Sequence, residues 1–186
     1  MRTAEQAATV ACVFVGLYAG HQVGDHTVDS DAVMSAKAIP SDDRLAAGTS
    51  PWTGWGACLH HVAVYTLAQA VALVVVFVLA PMSLYGGFTA LLISAFSHAI
   101  IDRRWIVAAI VRAKRCTDWP EAPYLIDQSL HYGALFTAAA CATAVTTAAG
   151  VAGTAALGIA SIALALALER RLAASAADRI GDPHRL

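Results

Sequence analysis

The chain lacks charged residues over two long stretches. No Asp, Glu, Lys or Arg occurs between Arg44 and Asp102, or between Asp127 and Glu169. Only 13% of the 186 residues are charged, whereas soluble domains average about a quarter. Each uncharged stretch can hold two membrane helices of about 20 residues joined by a tight turn. The sequence therefore predicts an integral membrane protein whose main partner is the lipid bilayer.

Other absences narrow the range of functions. The four cysteines are scattered singly, so neither a zinc ribbon nor a disulfide framework is indicated. Nucleotide, zincin and c-type haem sites have no support, because GxGxxG, Walker A, HExxH and CxxCH motifs do not occur. No serine lies in a GxSxG or SxxK context. The net charge of −1, without a basic run interleaved with aromatics, predicts no nucleic-acid partner.

The apolar segments predict an all-α fold, a single polytopic membrane domain over residues 1–186 with about five transmembrane helices. The predicted spans cover approximately residues 5–25, 57–80, 86–105, 124–148 and 151–169. Pro81 with Gly86 and Gly87 predicts a hairpin between spans two and three, and Gly150 with Gly153 predicts the turn into span five. Small residues at four-residue spacing, including Gly158, predict close packing of span five on a neighbour.

Three further segments complete this organisation. Residues 30–56 are polar and contain Trp52 and Trp55, which predicts an interfacial loop. Residues 170–186 form a predicted cytoplasmic tail. Residues 7–20 are apolar enough for a secretory signal, but Glu5 offsets the charge of Arg2. We interpret the segment as a retained first span, because that span carries part of the polar layer described below.

Positive charge is concentrated on one side of the predicted topology. With five spans, the polar ends of spans one, three and five share a face with the starts of spans two and four. Eleven Lys and Arg residues belong to that face, and only Arg2 belongs to the other. The positive-inside rule then places the charged face in the cytoplasm and the N-terminus outside. The predicted location is a bacterial inner membrane.

The polar residues of the spans fall into one layer near this cytoplasmic face. Three pairs are spaced i,i+4, which puts both members on one helix face: His21–Asp25, His98–Asp102 and Asp127–His131. Imidazole and carboxylate groups together suit a divalent metal such as zinc, manganese or iron. The predicted metal ligands are His21, Asp25, His60, His98, Asp102 and His131. Asp127 is the candidate general base of a catalytic site.

The remaining polar residues of the layer have weaker interpretations. His60 and His61 differ by about 100° around a helix, so at most one faces the common centre, and we favour His60. His26 and Asp29 are expected at the water boundary. Arg103 and Arg104 are interpreted first as positive-inside anchors and second as clamps for a phosphate or lipid headgroup.

Several functions are consistent with this layer. A single His/Asp pair near a helix end is more often a cap or an interhelical hydrogen bond, but three pairs favour a site. The first hypothesis is a metal-dependent membrane hydrolase acting on an amphipathic or lipid-linked substrate. The second is a structural or partner-binding protein whose polar layer locks the helices. An ion or proton transporter is less favoured, because the outer halves of the spans offer only threonines. A haem held by two histidines is a minor alternative.

The order of these residues resembles a known family. The segments HQVGDHTVD, Lys37, CLHH, SHAIID and LIDQSLH, over residues 18–136, are similar to the bacterial membrane-protein family called domain of unknown function 3307. Two positions depart from its pattern, since His26 stands where an aromatic residue is common and Asp29 where Gln is usual. The resemblance implies the topology and the choice of positions, and it implies no activity.

Overall fold

The structure, a computed structural model, describes residues 2–28 and 30–181, and every regular element within them is an α-helix. The helices are α1 (Arg2–His26), α2 (Asp31–Ala36), α3 (Asp42–Ala46), α4 (Trp55–Leu79), α5 (Leu84–Ile101), α6 (Trp105–Lys114), α7 (Ala122–Ala144), α8 (Ala148–Ala174) and α9 (Ala176–Gly181). Four of them are long and apolar enough to cross a membrane: α1 from Ala4, α4, α5 and α8. The prediction of an all-α membrane-type bundle is confirmed.

Four helices form the bundle and a fifth lies outside it. Helix α1 packs on α4 and α7, and α5 packs on the same two helices from the other side. Helix α8 packs mainly on α5, makes smaller contacts with α3 and α9, and exposes much of its remaining surface. The outward face of α4 is apolar, with Val71, Val74 and Val78 each more than 60% exposed. Large aliphatic side chains on the outside are expected where lipid replaces water as the solvent.

Helix α7 has the length of a span but a more polar sequence, and it is not among the four candidate spans. It begins at the polar layer and ends at the opposite end of the bundle, where Ala142 lies against Gly86 in the first turn of α5. Its hydropathy is lowered by its first turns, which carry Asp127, Gln128 and His131. That α7 is a fifth membrane span therefore remains a prediction.

Glycines set the close approach of α1 to α4. Gly16, Gly20 and Gly24 recur every four residues on the face of α1 that meets α4. A Cβ atom on Gly20 would lie 2.7 Å from the Cα of Gln69, and one on Gly24 would lie 2.9 Å from the Cα of Tyr65. Small residues at this spacing let membrane helices pack backbone to backbone. Gly158 has the same role in α8, where a Cβ would meet the ring of Phe96.

The glycines predicted to form turns lie inside helices: Gly86 and Gly87 are in the first turn of α5. Gly150 and Gly153 lie inside the first turns of α8 and not in the turn that precedes it. The turn is made by residues 145–147, and Thr147 caps α8 by accepting a hydrogen bond from the backbone N–H of Gly150. A further difference is α6, a short helix in the segment that joins predicted spans three and four.

The bundle has an apolar half and a polar half. The apolar core includes Leu17, Leu73, Val76 and Leu135. At the other end, the last turns of α1 and α5 and the first turns of α4 and α7 face one another and carry the histidines and aspartates. This arrangement follows from the antiparallel run of consecutive helices, which brings alternate helix ends to one side.

A candidate metal centre at the polar end of the bundle

Four buried side chains converge at the polar end of the bundle. They are Asp25 on α1, His61 on α4, His98 on α5 and Asp102 at the C-terminal end of α5, here called the tetrad. One ligand atom from each lies within 4.8 Å of all the others, and each residue is at most 5% exposed. Three separate helices position the set, so the bundle packing itself creates the cluster.

The tetrad has the dimensions of a metal site. The Nε2 atoms of His61 and His98 are 3.0 Å apart. The carboxylate oxygens of Asp25 and Asp102 lie 3.0 and 3.3 Å from His61 Nε2, and 3.7 and 3.0 Å from His98 Nε2. Ligands at about 2.0–2.2 Å around a tetrahedral divalent ion are separated by about 3.3–3.6 Å. The observed separations bracket that range.

Hydrogen bonding alone does not account for these distances. The Nε2 atom of His61 lies within 3.3 Å of both carboxylates, of His98 Nε2 and of the ammonium of Lys37. A neutral imidazole nitrogen has one proton or one lone pair, so it can satisfy one of these neighbours well. A cation at the centre of the tetrad would satisfy all four ligand atoms together.

Lys37 is the residue that sequence analysis missed. It lies in the segment between α1 and α4, is 1% exposed, and its Nζ is 2.9 Å from Asp102 Oδ2 and 3.3 Å from Asp25 Oδ1. In the sequence it counts as one of the eleven cations of the predicted cytoplasmic face. Buried carboxylates need a partner of opposite charge, and Lys37 supplies it. The resemblance named a lysine at this position, which was the available signal.

Arg103 holds the segment that delivers Lys37. Its guanidinium is fully buried and donates hydrogen bonds to the backbone carbonyls of Lys37 (2.9 Å), Pro51 (2.8 Å) and Thr53 (3.1 Å). It also pairs with Glu169 of α8 at 2.7 Å. The interpretation of Arg103 as an interfacial anchor or headgroup clamp is wrong, because neither role is compatible with complete burial. Arg104 is exposed.

The choice between the two adjacent histidines was also wrong. His61 is buried in the tetrad and His60 is exposed. The buried face of α4 runs through Cys58, His61, Tyr65 and Gln69, at spacings of three and four residues. The rotation of α4 in the bundle turns this polar stripe inward, and its register passes through His61. One step along a helix rotates a side chain by about 100°, which turns His60 away.

Side chains between the tetrad and the apolar core hold the ring of His98 in place. The ring of Tyr65 stacks on His98 with centroids 3.7 Å apart. Its hydroxyl contacts Ser94 Oγ at 2.8 Å and accepts a hydrogen bond from Gln69. Gln69 also donates to the carbonyl of Leu17 on α1. These contacts fix the His98 ring, as supporting groups do for metal ligands.

The other predicted residues lie beside the tetrad. His131 Nε2 is buried, has no hydrogen-bond partner in the described part of the chain, and is 3.9 Å from Asp102 Oδ1. His21 Nε2 contacts Gln128 Oε1 at 3.1 Å and lies 3.9 Å from Asp25 Oδ2. Asp127 lies on the far side of the His131 ring, 3.5 Å from Nδ1. Its position suits orientation of His131, and its role as a general base stays a prediction.

Of the two residues expected at the water boundary, His26 is partly exposed, with 34% of its side chain accessible, and Asp29 lies outside the described residues.

Comparisons with known proteins identify a family but no activity. Neither a curated protein nor a solved structure matches the chain. One family matches residues 13–155, which is more than half of the chain and includes all of the tetrad and Lys37. Its description is "Protein of unknown function (DUF3307)", and the chain belongs to that family.

Proposed function

We propose that the protein is a membrane-embedded, metal-dependent hydrolase with its metal site at the tetrad. The observation that carries this proposal is the convergence of two imidazole Nε2 atoms and two carboxylate oxygens with tetrahedral spacing. Zinc, manganese and iron all accept this donor set. Such an ion supplies an acidified water that can act as a nucleophile near neutral pH. The remaining tasks fall to the residues of the chain.

The residues around the tetrad have defined tasks in this proposal. Lys37 compensates the carboxylates when no metal is bound, and has to move away when the ion enters. His131 lies beside Asp102 and is oriented by Asp127, and its Nε2 has no hydrogen-bond partner among the described residues. This pair can therefore accept a proton from water. Tyr65 holds the ring of His98 in place.

A neighbouring cavity supports an amphipathic, acidic substrate. A cavity of about 290 Å³ lies between α3, α6 and α8 and is lined by Arg104, Trp105 and Arg112, among other residues. Arg179 and Asp42 pair with each other at its edge, where the hydrogen bond from Arg179 lowers the pKa of Asp42. Arg104 follows Asp102 by two residues, so this cation of the cavity lies close along the chain to a tetrad residue. We propose a lipid-linked substrate at the cytoplasmic interface.

The decisive experiment compares adjacent histidines. Wild type, His61→Ala and His60→Ala are purified in detergent from metal-supplemented medium, and bound metal is measured by mass spectrometry of the elements. We expect at least one metal ion per chain in wild type and in His60→Ala, and one ion fewer in His61→Ala. Metal-loaded wild type is then screened with amphipathic phosphate and amide esters.

Absence of metal from all three proteins would refute the proposal. The polar layer would then act as a helix lock, in which Lys37 neutralises the two carboxylates. A protein that binds metal but hydrolyses nothing in the screen would retain the site and lose the hydrolase assignment.

A further inference from the structure

We infer that Asp25 bridges two cation positions, and that the second position, built from His21, Asp25 and His26, is the one that binds water and substrate. This inference rests on the proposed metal site. The ligand atoms of these three residues lie within 4.8 Å of one another, and all three come from the last turns of α1. The tetrad and this second group share only Asp25.

The two oxygens of Asp25 face in different directions. Oδ1 lies 3.0 Å from His61 Nε2 and 3.7 Å from His98 Nε2, within the tetrad. Oδ2 lies 3.9 Å from His21 Nε2 and 3.9 Å from His26 Nε2. A carboxylate that offers one oxygen to each side can hold two ions. Two-metal hydrolytic sites place their ions about 3.5–4 Å apart, a distance that one carboxylate can bridge.

The two positions differ in the number of protein ligands. The tetrad already offers four buried protein ligands, so an ion there takes up water only by expanding to a fifth ligand. The second group offers three, which is typical of a catalytic site that keeps a place for water. His26 has 34% of its side chain accessible, whereas His61 and His98 are at most 1% exposed. Water and substrate therefore reach the second position more directly than the tetrad.

His21 is placed to change partners when an ion binds. Its Nε2 contacts the amide oxygen of Gln128 at 3.1 Å, and its Nδ1 is buried without a hydrogen-bond partner in the described part of the chain. The amide oxygen accepts, so Nε2 carries the ring proton in this contact. An ion at Nε2 would require that proton to move to the buried Nδ1, and would replace the contact with Gln128. Gln128 stays adjacent, and its oxygen is a hard donor of the kind that divalent ions accept.

The test uses Mn²⁺ alone, with wild type, His26→Phe and His60→Phe. Phenylalanine keeps the ring contacts of His26 with His21 and Tyr124 and removes the ligand nitrogen. Each protein is dialysed against Mn²⁺, and bound metal is counted and examined by electron paramagnetic resonance. We expect two ions with a spin-coupled spectrum in wild type and His60→Phe, and one uncoupled ion in His26→Phe. Thermal unfolding verifies that each variant is folded.

The alternative outcomes separate this inference from the proposed function. One uncoupled ion in both wild type and His26→Phe would overturn the bridged pair and leave the single-metal site intact. Two ions in His26→Phe would overturn the assignment of His26 as a ligand. No bound ion in wild type would overturn the proposed metal site and this inference with it.

Discussion

Lys37 determines the charge balance of the polar cluster. Its ammonium contacts both carboxylates of the tetrad and His61 Nε2, so it compensates the charges that a bound ion would also compensate. A buried carboxylate without a partner is costly, and breaking a buried ion pair destabilises proteins by about 3–5 kcal/mol. A divalent ion bound at the tetrad would therefore compete with Lys37 for the same negative charge.

This competition predicts the behaviour of Lys37→Met. Without metal, we expect the variant to unfold more easily than wild type by roughly 3 kcal/mol, because two carboxylates remain buried without a cation. With metal, we expect most of that loss to be recovered and the metal affinity to exceed that of wild type. Thermal unfolding in detergent, with chelator and with added Zn²⁺ or Mn²⁺, measures both effects.

The matched control is Lys114→Met, which removes an exposed lysine at the end of α6. It is expected to behave as wild type under both conditions. An equal destabilisation of Lys37→Met with and without metal would contradict the competition.

Individual residues show which parts of the site were predictable. The pairs His21–Asp25 and His98–Asp102 could be placed in one layer, because i,i+4 spacing and an antiparallel bundle are enough to bring them together. The choice of His61 over His60 depends on the rotation of α4, which tertiary packing sets. The position of Lys37 depends on the path of an irregular segment that Arg103 fixes from a distance. Neither the path of that segment nor the rotation of α4 can be read from the nearby sequence alone.

At the scale of elements, the packing of α1 on α4 sets the distance between two residues of the tetrad. Asp25 belongs to α1 and His61 to α4. Gly20→Ala places a Cβ 2.7 Å from the Cα of Gln69, a backbone atom that cannot rotate away. We expect a loss of about 1–3 kcal/mol in stability, typical of overpacking, together with reduced metal occupancy. Thermal unfolding and metal content of the purified variant are the measurements.

Gly133→Ala provides the comparison for this substitution. Gly133 lies within α7, and a Cβ there would meet nothing within 4 Å. Alanine favours helix, so this variant should be as stable as wild type or more so. If both variants kept full stability and full metal content, close packing of α1 on α4 would not be required for the site.

Helix α8 is attached to the site through one buried ion pair. Glu169 accepts hydrogen bonds from Arg103 Nε at 2.7 Å and from Trp55 Nε1 at 2.8 Å. In Glu169→Gln the guanidinium stays buried without a counter-charge, so the segment that carries Lys37 should open more often. We expect trypsin to cleave after Arg44, the exposed arginine of that segment, at least tenfold faster than in wild type. Mass spectrometry of the fragments identifies the site of cleavage.

The neighbouring substitution Arg170→Gln tests the specificity of this effect. Arg170 is exposed on the same turn of α8, and its loss leaves the pair with Arg103 intact. Cleavage after Arg44 should then proceed at the wild-type rate. Equal acceleration by both substitutions would mean that α8 opens without the buried pair being involved.

At the scale of the whole molecule, the path of α7 decides the sidedness of the protein. Helix α7 runs alongside α5, from the polar cluster at His131 to the opposite end of the bundle, where Ala142 meets Gly86. Because its neighbours α1 and α5 are candidate spans, α7 covers the same depth as they do. Five crossings would put the two termini on opposite sides. Four crossings would put them on the same side.

We therefore predict an outer N-terminus and a cytoplasmic C-terminus. In bacterial cells, a C-terminal green fluorescent protein should fluoresce, and a C-terminal alkaline phosphatase should be inactive, because each folds on one side only. A single cysteine introduced near the N-terminus of a variant that lacks the native cysteines should react with a membrane-impermeant maleimide in intact cells. A single cysteine introduced after α9 instead should react only after the cells are lysed.

If the cysteines near the two termini react as if they lie on the same side of the membrane, α7 does not cross it. The positive charge around the polar cluster would then have to be explained without the positive-inside rule.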